Sequence, residues 1–432
     1  MDQNTIAITI LLGSFFIMIF AGSKILFSIG ISTLITILYL GLPVQLIAQN
    51  MVKGVNSFSL MSVPFFILAG EIMGSGGITK RLIKLSDALV GWIRGGLAMV
   101  NVAASMFFGG ISGSPTADCS SIGAMLIPMM VDYGYDVEFS TNITMTSSIQ
   151  SLLIPPSHNM VIYAMAAGGV SIGALFLAGA VPGILLGIAL MIYSYVMAIK
   201  KNYPRGDTFN FKVALRAIGD AGLGLITVLI VVVGVVAGIF TATESAAIAV
   251  VYAFIITFFV YKEIPLKEFK NIVFRSIKTI SIVMILVGIS SAFGWLIAYL
   301  QVPAKLGNLI FTFSKNKFVV MLLINLFLLV VGTMMDMVSA ILIVTPVLLP
   351  ITQAIGLSSV QFGIIMILNL GIGLITPPVG VILFVGSAIS GVKIERLSKT
   401  LIPFYLVMVL VLFLVTYIPA ISLTLPKVLM GV

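Results

Sequence analysis

Four short stretches hold most of the residues able to do chemistry. Two of them read Gly109-Gly110-Ile111-Ser112-Gly113-Ser114-Pro115-Thr116-Ala117-Asp118 and Gly332-Thr333-Met334-Met335-Asp336-Met337-Val338-Ser339. The other two are Ile154-Pro155-Pro156-Ser157-His158-Asn159 and Thr376-Pro377-Pro378-Val379-Gly380. Glycine permits tight turns, and proline interrupts a helix. Two successive prolines remove two backbone donors and push the preceding residue out of the helical region. The carbonyls near 152–155 and 374–377 thereby lose their helical partners. With the Ser and Thr hydroxyls they form an oxygen-rich set that suits a hard cation such as Na+. A helix restarting after such a break offers free N–H groups, which suit an anion. Asp336 lies between two apolar runs. A charge at membrane depth costs about 2.5–3.5 kcal/mol, so Asp336 needs a cation, a proton or a cluster of amides. It can cap a helix through the amides at 338 and 339 and hold a coupling ion as well.

The remaining reactive groups are few. His158 is the one histidine and Cys119 the one cysteine, so a multi-histidine metal site, a Ser-His-Asp triad elsewhere and an internal disulfide are all excluded. His158 reads as a packing residue before it reads as a proton carrier, and Cys119 as packing. Asn159 and Asn369 are neutral ligands for an ion or a substrate. Asp118 either caps the helix that follows Pro115 or binds something. Glu71 reads as an acid paired across helices, and Glu244, three residues after Thr241, as part of a capping box. The sequence contains no G-x-x-x-x-G-K-[ST] nucleotide loop, no TVGYG-like filter and no Arg-rich sensor. It reads as no enzyme, with no organic cofactor, and any work it does draws on an ion gradient or a partner chain.

The elements that must position these residues are set by composition. Of the 432 residues, 60% are apolar and 9% are charged, whereas a soluble domain carries about 25% charged residues. A cytosolic globule is excluded, and so is disorder. The apolar runs are continuous rather than alternating, which predicts membrane helices and not a β-barrel. Simple spans are expected near 5–22, 24–42, 58–74, 173–199, 220–241, 243–261, 271–300 and 400–424. Regions 97–131 and 318–352 carry Gly, Ser, Thr and Asp at their centres and read as re-entrant hairpins. Regions 140–170 and 360–389 are apolar spans broken by Pro-Pro.

One offset relates the two halves. Gly110 and Gly332, Pro128 and Pro350, Gly134 and Gly356, Pro155 and Pro377, and Gly169 and Gly391 all lie 222 residues apart. Such agreement of structural punctuation over about 60 residues argues for duplicated architecture. Residues 1–199 form one repeat and 220–432 the other, joined by a linker at 200–219. Each repeat has five crossings, so the second is inverted. With the N-terminus outside, 18 of the Lys and Arg residues fall inside and 5 outside, so both termini are expected outside. The net charge of +9 therefore marks membrane orientation, and nucleic acid is not an expected partner. Residues 80–85 form an amphipathic arm on the inner surface, with 302–317 as its counterpart.

The stretches Gly110–Gly123, Ser148–Tyr163, Gly332–Pro350 and Asn369–Phe384 resemble the large membrane subunit of tripartite ATP-independent periplasmic (TRAP) transporters, across nearly the whole chain. A departure is Gly356–Gly363, where many relatives carry Gly-x-Asp-Pro. The resemblance implies an all-α polytopic protein of the bacterial inner membrane, with an elevator-type inverted repeat. It implies Na+-coupled import of an organic acid delivered by a periplasmic binding protein. The two hairpins and two broken spans would move against the remaining spans. A small four-helix membrane subunit completes the complex, and because this chain starts at its first span that subunit is expected as a separate polypeptide. The sialic acid branch is the first expectation. A C4-dicarboxylate permease and a symporter needing no binding protein are the alternatives. One Na+ is expected among Gly110, Ser112, Ile154, Pro155 and Ser157. A second is expected among Gly332, Thr333, Asp336, Thr376, Pro377 and Gly380. Substrate is expected between the hairpin tips, at Ser112, Ser114, Thr116, Asn159, Thr333 and Asn369.

Overall fold

The computed structural model describes residues 3–206 and 208–431; Met1, Asp2, Asp207 and Val432 lie outside the described residues. The first half contains α1 (Gln3–Phe20), α2 (Ile25–Tyr39), α3 (Gln45–Val55), α4 (Ser62–Ser75) and the connector α5 (Ile78–Val90). A hairpin follows, made of α6 (Gly96–Ser112) and α7 (Pro115–Asp132). The interrupted span α8 (Val137–Ser148), α9 (Gln150–Leu153) and α10 (His158–Ala166) comes next, and α11 (Ile172–Lys200) ends the half. The second half contains α12 (Phe211–Val236), α13 (Ala242–Ile255), α14 (Phe269–Tyr299) and the connector α15 (Val302–Phe313). Its hairpin is α16 (Lys317–Met334) and α17 (Met337–Ala354), and its interrupted span is α18 (Ser359–Gly373) and α19 (Val381–Ser390). The chain closes with α20 (Ile394–Thr400), α21 (Ile402–Tyr417) and α22 (Pro419–Met430), which packs on α11. Adding the offset of 222 to the bounds of α7 gives those of α17 to the residue.

Among the described residues seven helices have the length and apolarity of a membrane span, and the spans number up to nine if each bent pair counts as one. Those bends mark where the halves differ. α3 and α4 meet at 66°, whereas their counterpart α14 runs unbroken for 31 residues. The first half has Gly54-Val55-Asn56-Ser57 at the bend, where the second has Ser276-Ile277-Lys278-Thr279. Gly and Asn favour leaving the helix there, and Asn56 has non-helical torsions. α20 and α21 meet at 55°, beside Pro403, which lacks the N–H that would continue the ladder. The expected capping box is present, with Thr241 and Glu244 exchanging both bonds at the start of α13.

The helices pack in two groups. α1, α2, α3, α4, α12, α13 and α14 pack on one another. The hairpins and interrupted spans form the second group, together with α11, α21 and α22. Within it the halves exchange partners: α7 packs on α19, and α10 packs on α17. Ion pairs respect the same division. Arg81 pairs with Glu263 and stands 3.8 Å over the Tyr261 ring, while Arg275 reaches Glu71 at 3.4 Å and Glu268 at 3.7 Å. These lie within the first group and its connector α5. Lys201 pairs with Asp136, and Arg396 with Glu138, within the second. Among the described residues no ion pair bridges the groups. The Lys201 ammonium, helped by the Tyr203 hydroxyl at 2.8 Å, holds the Asp136 carboxyl below its ordinary range.

Candidate functional site

The tip of the first hairpin is built by a cap at each arm. α6 ends at Gly113, whose φ of +59° is left-handed and whose N–H donates to the Gly109 carbonyl at 3.0 Å. α7 begins with Ser114 as N-cap, accepting from the Ala117 N–H at 3.4 Å, and with Pro115 at its first turn. Ser114 Oγ also lies 3.0 Å from Thr116 Oγ1, and the Ser114 N–H donates to Ser112 Oγ at 3.3 Å.

This tip faces the first Pro-Pro break directly. A Cβ built on Gly110 would stand 3.2 Å from the Pro155 carbonyl oxygen, and one on Gly113 would stand 3.1 Å from that of Pro156. Both carbonyls therefore point at the end of the hairpin. Ser157 is fully buried, and its Oγ has no hydrogen-bond partner; the Asn159 Oδ1 is buried and unpartnered as well. A site that leaves two side-chain oxygens orphaned beside two bare carbonyls is prepared for a ligand that donates hydrogens or positive charge. Gly113 also sits against the His158 ring, 3.4 Å from a built Cβ to Nδ1. The structure thus brings Gly110, Ser112, Ser114, Thr116, Pro155 and Ser157 to one end of one hairpin, with Ile154 beside them and Asn159 two residues further along the same break.

The second tip is arranged differently. Asp336 is the N-cap of α17: the Ser339 N–H donates to its Oδ2 at 3.1 Å and Ser339 Oγ donates to its Oδ1 at 2.8 Å. Its charge remains half-buried between Met335 and Met337. The Thr333 carbonyl accepts from the Val379 N–H at 3.2 Å, which ties the tip to the second break. Two of the carbonyls expected to be bare are occupied. The Leu374 carbonyl accepts from the Ile382 N–H at 3.0 Å, and the Ile375 carbonyl from the Tyr405 hydroxyl at 2.7 Å. The Thr376 hydroxyl donates to the Ile372 carbonyl at 2.7 Å. The Thr376 carbonyl turns back toward Gly380, 3.0 Å from a Cβ built there. Both Pro-Pro bonds, 155–156 and 377–378, are cis.

Asn369 sits elsewhere. It is fully buried in the middle of α18, where its Nδ2 donates to the Asn325 carbonyl and to Asn325 Oδ1, both at 3.0 Å. Asn325 in turn donates to Thr416 of α21 at 3.1 Å. Such bonds hold membrane helices together at an average of about 0.6 kcal/mol each. Gly332 is likewise a packing position, since a Cβ there would be 3.2 Å from the Gly373 Cα and 3.1 Å from the Leu370 Cα. The occupied carbonyls and the Asn325 partner leave no local sequence signal, because Tyr405 and Asn325 lie 30 and 44 residues from their partners.

The Gly110–Pro155 approach gives a direct test. Gly110→Val drives a side chain into the oxygen cluster, and overpacking of this kind costs about 1–3 kcal/mol, of which about 1.4 kcal/mol borne by the ion site is tenfold in affinity. The expected outcome is a protein that purifies normally and needs about tenfold more coupling ion for half-maximal uptake. A variant with an unchanged ion titration removes the tip from the site.

Inverted halves, each with a re-entrant hairpin laid against a broken span, define a membrane transporter of the inverted-repeat kind. Comparison with known proteins narrows the class. Residues 12–421 match the family described as tripartite ATP-independent periplasmic transporter, DctM component. The chain belongs to that family. It is 43% identical to the uncharacterized protein YgiK of Salmonella typhimurium, over 97% of both chains. It is 38% identical to the sialic acid TRAP transporter large permease protein SiaM of Vibrio cholerae, over 96% of this chain and 97% of that one. It is 40% identical to the isethionate TRAP transporter permease protein DctMQ of Oleidesulfovibrio alaskensis, over 95% of this chain but 65% of that longer one. Among solved structures, the YdaH transporter of Alcanivorax borkumensis shares the fold, with a TM-score of 0.63 at 12% identity over 86% of each chain.

Proposed function

We propose that this chain is the permease through which a small organic anion enters the cell with Na+, after delivery by a periplasmic binding protein and in complex with a small membrane subunit. The observation that carries the coupling is a charge inventory. Residues 95–199 and 318–392, which hold both hairpins and both broken spans apart from Lys317 at the foot of α16, contain no Lys or Arg. An anionic substrate at the tips has no basic side chain to meet it, and an unpaired charge in a low-dielectric site is costly. The countercharge must arrive with the substrate. The Pro155 and Pro156 carbonyls and Ser157 Oγ suit a monovalent cation at the first tip, and Asp336 supplies the one charged ligand at the second. Hydroxyls at Ser112, Ser114 and Thr116 and the Asn159 amide then serve the organic part of the substrate.

The substrates printed in relatives' names, sialic acid, isethionate and C4-dicarboxylates, share an acidic group on a small polar body. Sialic acid is the first substrate to try, with C4-dicarboxylates next. Uptake would be measured in proteoliposomes holding this chain, its small subunit and the binding protein. Uptake should require an inward Na+ gradient and collapse in choline. Equal uptake from Na+-free buffer under a proton gradient would overturn the Na+ assignment, and uptake by this chain alone would remove the binding protein.

The movement is proposed to be of the elevator type. The moving body includes α11 and α21 as well as the hairpins and broken spans, because both pack on the interrupted spans. α4 and α14 are equivalent helices of the other group, yet they meet their hairpins at different depths. A Cβ on Gly70 of α4 would lie 3.3 Å from Ser112, at the first tip. Gly294 of α14 instead faces Pro346, 3.9 Å from a built Cβ and ten residues into α17. Gly70 lies five residues from the end of α4, the end the basic residues place inside. On the expected orientation the first tip would be low in the membrane, in an inward-facing arrangement. Ten helical residues correspond to about 15 Å, which is the travel expected between the two limits.

A further inference from the structure

Asp118 is fully buried in α7, four residues beyond the Ser114 cap, and it takes no part in capping. It ends a chain of polar contacts that joins the first hairpin to α8. Asp118 Oδ1 lies 3.1 Å from Ser105 Oγ, and Ser105 Oγ lies 3.0 Å from Ser147 Oγ. Ser147 Oγ lies 3.1 Å from Asn101 Oδ1, Asn101 Nδ2 lies 2.7 Å from Thr144 Oγ1, and Thr144 Oγ1 lies 2.8 Å from the Ser140 carbonyl oxygen. All five side chains are fully buried, and Asp118 Oδ2 has no partner.

Hydrogens in this chain can be counted. Ser147 Oγ also lies 3.1 Å from the Thr144 carbonyl oxygen, so its one hydrogen is shared with that acceptor and counted once, and the five contacts of the chain need five hydrogens. Ser105, Ser147 and Thr144 each supply one, and the Asn101 amide directs one N–H along the chain. The Ser140 carbonyl supplies none. Turning the Asn101 amide over reverses the direction of the chain and leaves the total at four. An ionised Asp118 therefore leaves one oxygen–oxygen contact without a hydrogen, and it also leaves a buried charge unpaired. The elements packed on α7 are α5, α6, α8, α9 and α19. Of these α6, α9 and α19 carry no charged residue, and α8 carries only Glu138, paired with Arg396 at its far end. α5 carries Lys80, Arg81, Lys84 and Asp87; Arg81 pairs with Glu263, and Lys84 and Asp87 line a cavity with Met129 and Tyr133 at the other end of α7.

We propose that Asp118 is a neutral carboxylic acid whose O–H donates to Ser105 Oγ and completes the chain, so that it positions the first hairpin on α8 and binds no cation. The donors then run in one direction: Asp118 to Ser105, Ser105 to Ser147, Ser147 to Asn101, Asn101 to Thr144, Thr144 to Ser140. The unpartnered Oδ2 is then a neutral carbonyl oxygen, far less costly to bury than a carboxylate oxygen.

The test uses the purified full chain with its small subunit. Infrared spectra at neutral pH should show the carbonyl stretch of a protonated carboxylic acid that shifts in D2O, and Asp118→Asn should remove it. The Asn amide also donates, so Asp118→Asn should keep the Na+ titration of uptake within about twofold of the parent, whereas Asp118→Ala, which donates nothing, should lose about tenfold in uptake or fail to fold. Absence of the acid band in the parent protein overturns the proposal. So does a Na+ titration weakened about tenfold in Asp118→Asn, because that result makes Asp118 an ion ligand.

Discussion

Gly294→Cys combined with Pro346→Cys, in a Cys119→Ala background, is expected to abolish uptake when oxidised and to regain it on reduction. Position 294 is on the helix group proposed to stay fixed, and position 346 is on the second hairpin. A Cβ at 294 lies 3.9 Å from a side-chain carbon of residue 346, within reach of a disulfide. Neither position is a proposed ligand, and Cys119 is the only native thiol. The inverted repeat supplies the reciprocal pair. Subtracting 222 gives Ile72 on α4 and Ala124 on α7, helices that lack the close packing seen between α14 and α17. Ile72→Cys with Ala124→Cys should cross-link only when the body reaches its opposite limit, faster with Na+ and substrate present. An oxidised 294–346 pair that transports normally would end the elevator reading, because the two groups would then have no need to slide.

Asp336→Asn separates two roles that one side chain plays. Asparagine is as good an N-cap as aspartate, so the bonds from Ser339 survive and α17 keeps its start. What is lost is the one charge at the second tip. The expected result is a thermal stability close to that of the parent, with half-maximal Na+ raised about tenfold or more, equivalent to about 1.4 kcal/mol. Asp336→Ala should lose the cap too, costing about 1 kcal/mol of stability besides. A parental Na+ curve in Asp336→Asn would reduce Asp336 to a capping residue.

Local chemistry made the frame legible in the sequence. Pro and Gly recur at one offset because each marks a place where the backbone must leave the helix, and the bounds of α7 and α17 follow that offset. Thr241 and Glu244 announce a helix start because the capping box lies within four residues. What stayed hidden depends on residues brought together from afar. Nothing near Thr376 shows that Tyr405 and Ile382 occupy the carbonyls freed by Pro377, so the second tip looked more like the first than it is. The Asn369 amide has no local partner in its apolar run, and Asn325, which takes its Nδ2, lies on another helix. The partner exchange of α7 with α19 and of α10 with α17 has no trace in periodicity. Asp118 carries no sequence mark separating a cap from a buried acid; only the positions of Ser105 and Ser147 do so.

The absence of Lys and Arg from residues 95–199 and 318–392, around the hairpin tips, has an electrical consequence. If Asp118 is neutral, Asp336 is the one ionised group near the hairpin tips. If the elevator proposal holds, the empty tip region would carry that negative charge through the field, and an inside-negative membrane potential would push it back toward the outer face. A full elementary charge moved through the whole field gains about 2.3 kcal/mol per 100 mV, and a partial crossing proportionately less. Loaded with Na+ and an anionic substrate, the same body is closer to neutral and less sensitive to the field. The membrane voltage would act mainly on the reset of the carrier, so hyperpolarised vesicles should show a higher maximal rate with little change in substrate affinity.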